Sequence, residues 1–328
     1  MKQKIKWGIL GLGKIAQKFA SDLRLSEAST LYAVASRSKE KAIDFGNRFG
    51  AELKYDSYHA LIKDSNVQVI YIATPHAFHF EWAKLCLENG KHVLCEKPLG
   101  MNESEVKGLM QIAKKNKLFL MEGLWTRFIP SFEKVLELIT ENTIGEIQWI
   151  KADFGFKAKK DLSGRLFNKK LGGGALLDIG IYPIYLSTML LGIPKQIKSS
   201  ARLTSEGIDS YCAMIFEYED SVIAELEATF ETDTPIEAII AGSKGEIKMH
   251  RPFHHSEKIS LDLSNGEKHV FNLKYRGEGY FHEIMEVEKC LNENTMESKK
   301  HPLSKSLELI RLMDKIKSQI GLTYTAEQ

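Results

Sequence analysis

The chain has 328 residues, 43% hydrophobic and 27% charged, enough to bury the cores of about two domains and remain soluble. Lys and Arg number 45 against 43 Asp and Glu, without the basic surplus or stripe of a nucleic-acid binder. The start, MKQKIKWGILGLG, lacks a signal-peptide pattern, no run approaches the roughly 18 apolar residues of a bilayer span, and Cys86, Cys95, Cys212 and Cys290 form no C-x-x-C pair, so a cytoplasmic protein away from membranes is expected.

The first third alternates short apolar strands with amphipathic helices. Ile5–Leu10 and Leu31–Ala35 read as strands, as do Val69–Ala73 and His92–Cys95, with the near-continuous apolar character of strands buried on both faces. Ile15, Phe19 and Leu23 recur at helical spacing after the first strand. A helix through Trp82, Leu85 and Cys86 stops at Asn89-Gly90, and Asn102 with Glu105 forms a capping box for the next, which ends on Lys114 and Lys115. Such alternation predicts a Rossmann-type parallel sheet over residues 1–123.

The pattern changes over residues 124–328. A helix near 130–141 precedes a long strand near 146–156, a polar loop, three glycines at 172–174 and an apolar helix to about Leu191. Ser221–Phe230 alternates cleanly, as an antiparallel strand with one buried face does. Asn265-Gly266 marks a hairpin, and helices near 279–291 and 303–320 close the chain. The expected architecture is an α/β Rossmann domain followed by an α+β domain on a large, mostly antiparallel open sheet.

Several segments carry chemistry. Gly11-Leu12-Gly13-Lys14-Ile15-Ala16 matches G-x-G-x-x-A between a strand and a helix, where Gly11 allows a tight turn, Gly13 a close backbone approach, and the helix start at Lys14 and Ile15 offers free N–H groups to a pyrophosphate. The second strand ends in Ser36-Arg37 with no carboxylate for a ribose hydroxyl, which favours NADP over NAD unless Arg37 is simply solvated. Thr74, His76 and His79 follow the Val69–Ala73 strand, and Glu96-Lys97 follows the His92–Cys95 strand; both segments should meet that cofactor at the carboxyl edge of the sheet. Asp178 and Tyr182 lie four apart on an apolar helix, as a cavity lining or as a structural hydrogen-bonded pair. A phenol becomes an effective base when an ammonium lowers its pKa from about 10 to about 7, a change worth roughly 4 kcal/mol. No metal is expected, since the ten histidines show no ligand spacing and His254-His255 reads as a chance pair in a polar loop.

On GLGKIA at 11–16, TPHAFH at 74–79, EKP at 96–98 and GGGALLDIG at 172–180, the chain resembles the Gfo/Idh/MocA oxidoreductases over essentially its whole length. EGLWTRFIP at 122–130 and GGGALLDIGIYP at 172–183 are similar to the dimeric dihydrodiol dehydrogenase and NADP-dependent D-xylose dehydrogenase branch. The resemblance implies hydride transfer between a nicotinamide and a hydroxyl of a sugar, polyol or trans-dihydrodiol. Lys97 and Asp178 match the family's functional positions, and Tyr182 stands where many relatives have histidine. It also implies substrate contacts at Trp125 and Phe154, with Arg127 and Arg165 either shaping the cavity or forming structural salt bridges. A homodimer through the second domain's sheet is expected, on strands DSYCAMIFEY and SVIAELEATF. A non-catalytic NADP-binding sensor, and a lyase or isomerase using bound NAD(P), are the alternatives.

Overall fold

A computed structural model describes residues 4–324. The chain forms two compact units, one of residues up to Trp125 together with Arg276–Leu307, the other of Thr126–Tyr275 together with residues from Glu308 on.

In the first unit the elements run β1 (Ile5–Leu10), α1 (Lys14–Leu23), β2 (Ser29–Ala35), α2 (Lys39–Phe49), β3 (Leu53–Tyr55), α3 (Tyr58–Lys63), β4 (Val69–Ile72), α4 (His79–Glu88), β5 (His92–Glu96), α5 (Glu103–Asn116) and β6 (Leu120–Gly123). The six strands make one parallel sheet in the order β3-β2-β1-β4-β5-β6. Ile9, Leu10 and all four residues of β4 are buried, as a sheet covered on both faces requires. The order reverses between β1 and β4, which puts the glycine loop and the 74–79 segment at the switch point where open α/β sheets bind ligands. Asn102 caps α5 as expected, accepting from the Glu105 N–H at 2.9 Å while Glu105 accepts from the Met101 N–H at 2.7 Å.

The second unit contains α6 (Pro130–Thr140), β7 (Ile147–Gly155), α7 (Ile181–Leu191), β8 (Gln196–Leu203), β9 (Asp209–Glu217), β10 (Ile223–Thr229), β11 (Ala238–Gly242), β12 (Gly245–Met249), β13 (Lys258–Leu263) and β14 (Lys268–Asn272). Its eight strands are ordered β14-β13-β12-β11-β7-β10-β9-β8. The alternating strand β10 pairs antiparallel with β9 but parallel with β7, which corrects its reading as a purely antiparallel strand. Ala224, Leu226 and Ala228 are buried, while Glu225 and Glu227 lie on the opposite face. That open face carries Tyr211, Ala213 and Ile215 of β9, while Phe216 and Phe230 turn into the core. Gly266 takes a φ of +92° in the turn between β13 and β14, as the Asn-Gly signal predicted.

Two further expectations change. Lys169–Leu191 has the length and hydropathy of a membrane span, contrary to the sequence reading, but 83% of its apolar window is buried inside the protein, so the apolarity of α7 serves the core. The second change is that no single boundary near residue 123 separates the units. The chain returns to the first unit through 276–307, which includes α8 (Phe281–Asn292). Buried polar contacts fix that return. Asp22 of α1 accepts from the backbone N–H groups of Glu278 and Phe281 at 2.8 and 3.0 Å, capping α8. Glu288 accepts from the hydroxyls of Ser26 and Ser29 at 2.5 Å, and Ser29 in turn accepts from the Trp7 indole at 2.9 Å. The last helix, α9, spans Leu303–Gln319.

Candidate active site

The first unit offers a phosphate cradle. Gly11 has φ +86°, and a side chain there would lie 2.6 Å from the Ala73 carbonyl oxygen, so only glycine lets β1 turn this close to the end of β4. Gly13 is exposed with open space where a Cβ would stand, and as the N-cap of α1 it brings no side chain to the first turn. Lys14 and Ile15 are exposed, while Ala16 is fully buried against the sheet. The N-terminal N–H groups of α1 are therefore available to an anion.

At the end of β2, Ser36 is buried and accepts from the Ser38 N–H at 3.2 Å, so its hydroxyl shapes the turn. Arg37 is exposed. Its charge reaches Tyr58, whose phenol burial pushes up and Arg37 pulls down.

Beyond β4, the Thr74 hydroxyl is buried with no hydrogen-bond partner among the described residues. His76 is buried and meets His79 edge-on at 5.7 Å between ring centroids. His79, expected to bind cofactor, is turned inward instead. Its Nδ1 lies 2.7 Å from the Pro98 carbonyl oxygen and its Nε2 2.9 Å from that of Thr74, so the ring sits between the two strand-end loops and its N–H donates to one of these carbonyls. Burial pushes the His79 pKa down.

Lys97 is buried at the end of β5, beside Glu96, which accepts from the Tyr71 hydroxyl. The loop after Lys97 has a second support that sequence reasoning missed. Glu122 accepts from the Leu99 N–H at 2.9 Å and pairs with His301 at 3.3 Å, both side chains being almost fully buried. Burial alone would raise the Glu122 carboxyl, but His301, Ser306 and the Leu99 N–H hold it below the usual range. Glu122 lay within a quoted motif; nothing marked His301. Trp125 is buried and stacks on Tyr280 at 4.7 Å.

In the second unit, residues 172–182 follow the polar loop. Ala175 and Ile179 join Phe167, Ile208, Ala228 and Phe230 in one apolar cluster, which fixes the segment on the sheet. Leu176–Gly180 forms a π-helical turn leading into α7, so Asp178 and Tyr182 do not have the regular α-helical relation the spacing implied. Asp178 is buried and accepts from Arg165 at 2.7 Å. Tyr182 is buried with its ring centroid 4.7 Å from that of His254 and 5.8 Å from that of Phe154. Phe154 stacks on His254 at 4.3 Å. The Thr126 hydroxyl donates to the His254 carbonyl at 2.6 Å, holding that turn in place. His254 is thus a wall of the Tyr182 site rather than a chance histidine, and local sequence carried no sign of it. Arg127 pairs with Glu133 at 2.9 Å, which assigns it a salt bridge at the start of α6.

Family models agree with this anatomy. Residues 5–124 match an oxidoreductase family model with an NAD-binding Rossmann fold, and residues 132–248 match a GFO/IDH/MocA C-terminal domain. A trans-1,2-dihydrobenzene-1,2-diol dehydrogenase of Xenopus tropicalis is 34% identical, the match covering 97% of this chain and 99% of that one. A D-xylose 1-dehydrogenase (NADP(+)) of Hypocrea jecorina is 34% identical over 98% of this chain and 93% of its own. Among solved structures, a 3-ketoreductase from Actinomadura kijaniata in complex with NADP and TDP-benzene superimposes with a TM-score of 0.87 at 25% identity, covering 97% of this chain and 98% of that one.

Proposed function

Because this chain belongs to the Gfo/Idh/MocA oxidoreductase family, we propose that it is an NADP-dependent dehydrogenase acting on a hydroxyl of a sugar, polyol or trans-dihydrodiol. The observation that carries the reading is the buried Tyr182 phenol walled by Phe154 and His254, with the Arg165–Asp178 pair on the same segment. Flat aromatic walls suit the apolar face of a sugar or the ring of a dihydrodiol.

The residues present fit a dinucleotide. The open side of Gly13, the uncapped start of α1, the buried unpartnered Thr74 hydroxyl and the exposed Arg37 offer room and donors. Arg37 would take the 2′-phosphate by charge-assisted hydrogen bonds, which favours NADP over NAD. The nicotinamide, when bound, accepts or supplies the hydride. Tyr182 takes the hydroxyl proton during oxidation and returns it during reduction. Lys97 is the ammonium partner of Tyr182 in this acid–base reading. Asp178, held by Arg165, orients the segment bearing Tyr182, and Trp125 contributes to substrate binding.

The four cysteines are all free and buried, which supports a cytoplasmic location within this proposal. A homodimer through the second unit's sheet is also part of it. The open face mixes Tyr211, Ala213 and Ile215 with Glu225 and Glu227, and burial raises the Glu227 carboxyl even in the single chain. Light scattering showing one species near 37.2 kDa would overturn the dimer. The function is tested by screening purified protein for NADP+ reduction over sugars, inositols and dihydrodiols. Turnover that disappears in Tyr182→Phe is expected. Activity with NAD alone, or wild-type turnover in that variant, would overturn the cofactor or the acid–base assignment respectively.

A further inference from the structure

The three glycines before the catalytic segment have separate physical reasons, and the last of them leads to the end of the chain. Gly172 has φ +76° and closes a short 3-10 turn. A side chain on Gly173 would strike the Leu166 and Arg165 carbonyl oxygens at 2.6 and 2.7 Å. Gly174 has φ +129°, and a Cβ on it would stand 2.3 Å from Asp209 Oδ1 and 2.9 Å from the Tyr324 hydroxyl oxygen. Two side chains, one from the first residue of β9 and one from beyond α9, therefore converge on one glycine.

Both are anchored to the same segment. The Tyr324 hydroxyl donates to the Gly173 carbonyl at 2.7 Å. Asp209 Oδ2 accepts from the Leu176 N–H at 2.6 Å, capping the π-helical turn that carries Asp178. Asp209 is fully buried, and its Oδ1 has no hydrogen-bond partner among the described residues. Tyr324 is buried as well.

We propose that Asp209 and Tyr324 are positioning residues for the reaction, a latch by which the C-terminal segment sets the helical turn bearing Asp178 and Tyr182. The inference rests on the acid–base reading of Tyr182. An ordinary helix cap contributes stability alone. This pair also fixes the glycine stretch from which the turn starts, and Tyr182 follows within two helical turns. The charged and titratable groups around Asp209 are few. Tyr324 and Cys212 face it, and burial pushes both upwards, so both are neutral. The Lys317 ammonium lies 5.8 Å from the Tyr324 ring centroid.

The test combines steady-state kinetics with amide hydrogen exchange on the full chain. Tyr324→Phe keeps the ring and removes one hydroxyl; we expect kcat to fall about tenfold, the NADP KM to hold, and exchange over residues 175–182 to quicken. Asp209→Ala should do the same, and Asp209→Asn, which still offers an oxygen to the Leu176 N–H, should restore kcat to within about threefold. Wild-type exchange over 175–182 in Tyr324→Phe overturns the latch. Faster exchange with wild-type kcat, in a protein that Tyr182→Phe inactivates, overturns the positioning role. Tyr182→Phe with normal turnover removes the acid–base reading instead, and the latch is then decided by the exchange data alone.

Discussion

Replacing Asp209 by Asn should change how the stability of this protein depends on pH. Burial pushes the Asp209 carboxyl from its ordinary 3.8 up to about 7, against the pull of the Leu176 N–H. In the unfolded chain it ionises near the ordinary value. Between those two pH values the native state holds a proton that the unfolded state has released, so stability is full below about pH 4 and declines as pH rises towards 7. At 1.36 kcal/mol per pH unit the gap corresponds to about 4 kcal/mol, an order-of-magnitude ceiling that solvent relaxation reduces. Asn cannot ionise, so the variant loses this decline. It keeps an oxygen for the Leu176 N–H but places an amide NH2 where Oδ1 now lacks a partner, a cost of about 1–3 kcal/mol that does not depend on pH. The two contributions separate cleanly in urea unfolding of both proteins at pH 4, 5.5, 7 and 8.5. The stability difference, variant minus wild type, should rise by about 2–4 kcal/mol across that series. A difference that stays constant from pH 4 to pH 8.5 would refute the buried, proton-holding carboxyl.

Three further outcomes are expected. Lys97→Met should lower kcat by about a hundredfold or more while NADP affinity, read by fluorescence titration, changes less than about tenfold; wild-type kcat would make Lys97 a bystander. Arg37→Ala should raise the NADP KM by about one to two orders of magnitude and leave the NAD KM unchanged, so a parallel rise in both would remove Arg37 from the 2′-phosphate. Gly174→Ala forces a side chain into φ +129° and onto Asp209, and should cost about 3 kcal/mol or more in denaturant unfolding; a loss below about 1 kcal/mol would show that Asp209 and Tyr324 yield easily.

Sequence read the first unit well because its signals are local. β4 is apolar throughout and β1 largely so, since both faces of the sheet are covered, and the glycine loop and Asn102 cap, like the Asn265-Gly266 turn of the second unit, each depend on a few adjacent residues. What it misread depends on neighbours distant in the chain. Alternation in β10 reports which face is buried but not the direction of the strand beside it, so its parallel pairing with β7 was invisible. His79 sits in a recognisable motif, yet only the folded chain brings the Pro98 carbonyl to its ring. His254 reads as half of a chance pair in a polar loop because the aromatic rings it packs against, Phe154 and Tyr182, are 100 and 72 residues away in sequence. The regular helix expected from Asp178 to Tyr182 failed because a π turn differs from an α turn by one inserted residue, which composition does not reveal.

The return of residues 276–307 to the first unit has a consequence for synthesis. A nascent chain folds from its N-terminus as it emerges, and the β1–β6 sheet is complete in sequence by Gly123. Until Arg276 and the residues after it leave the ribosome, Asp22, Ser26 and Ser29 lack their α8 partners, and the edge of Phe19 lacks Tyr280. All eight strands of the other sheet are translated during that interval. The unit that starts first is completed only after the whole sheet of the other has been made, so a ribosome stalled before residue 276 holds a Rossmann sheet with polar and aromatic groups still awaiting cover.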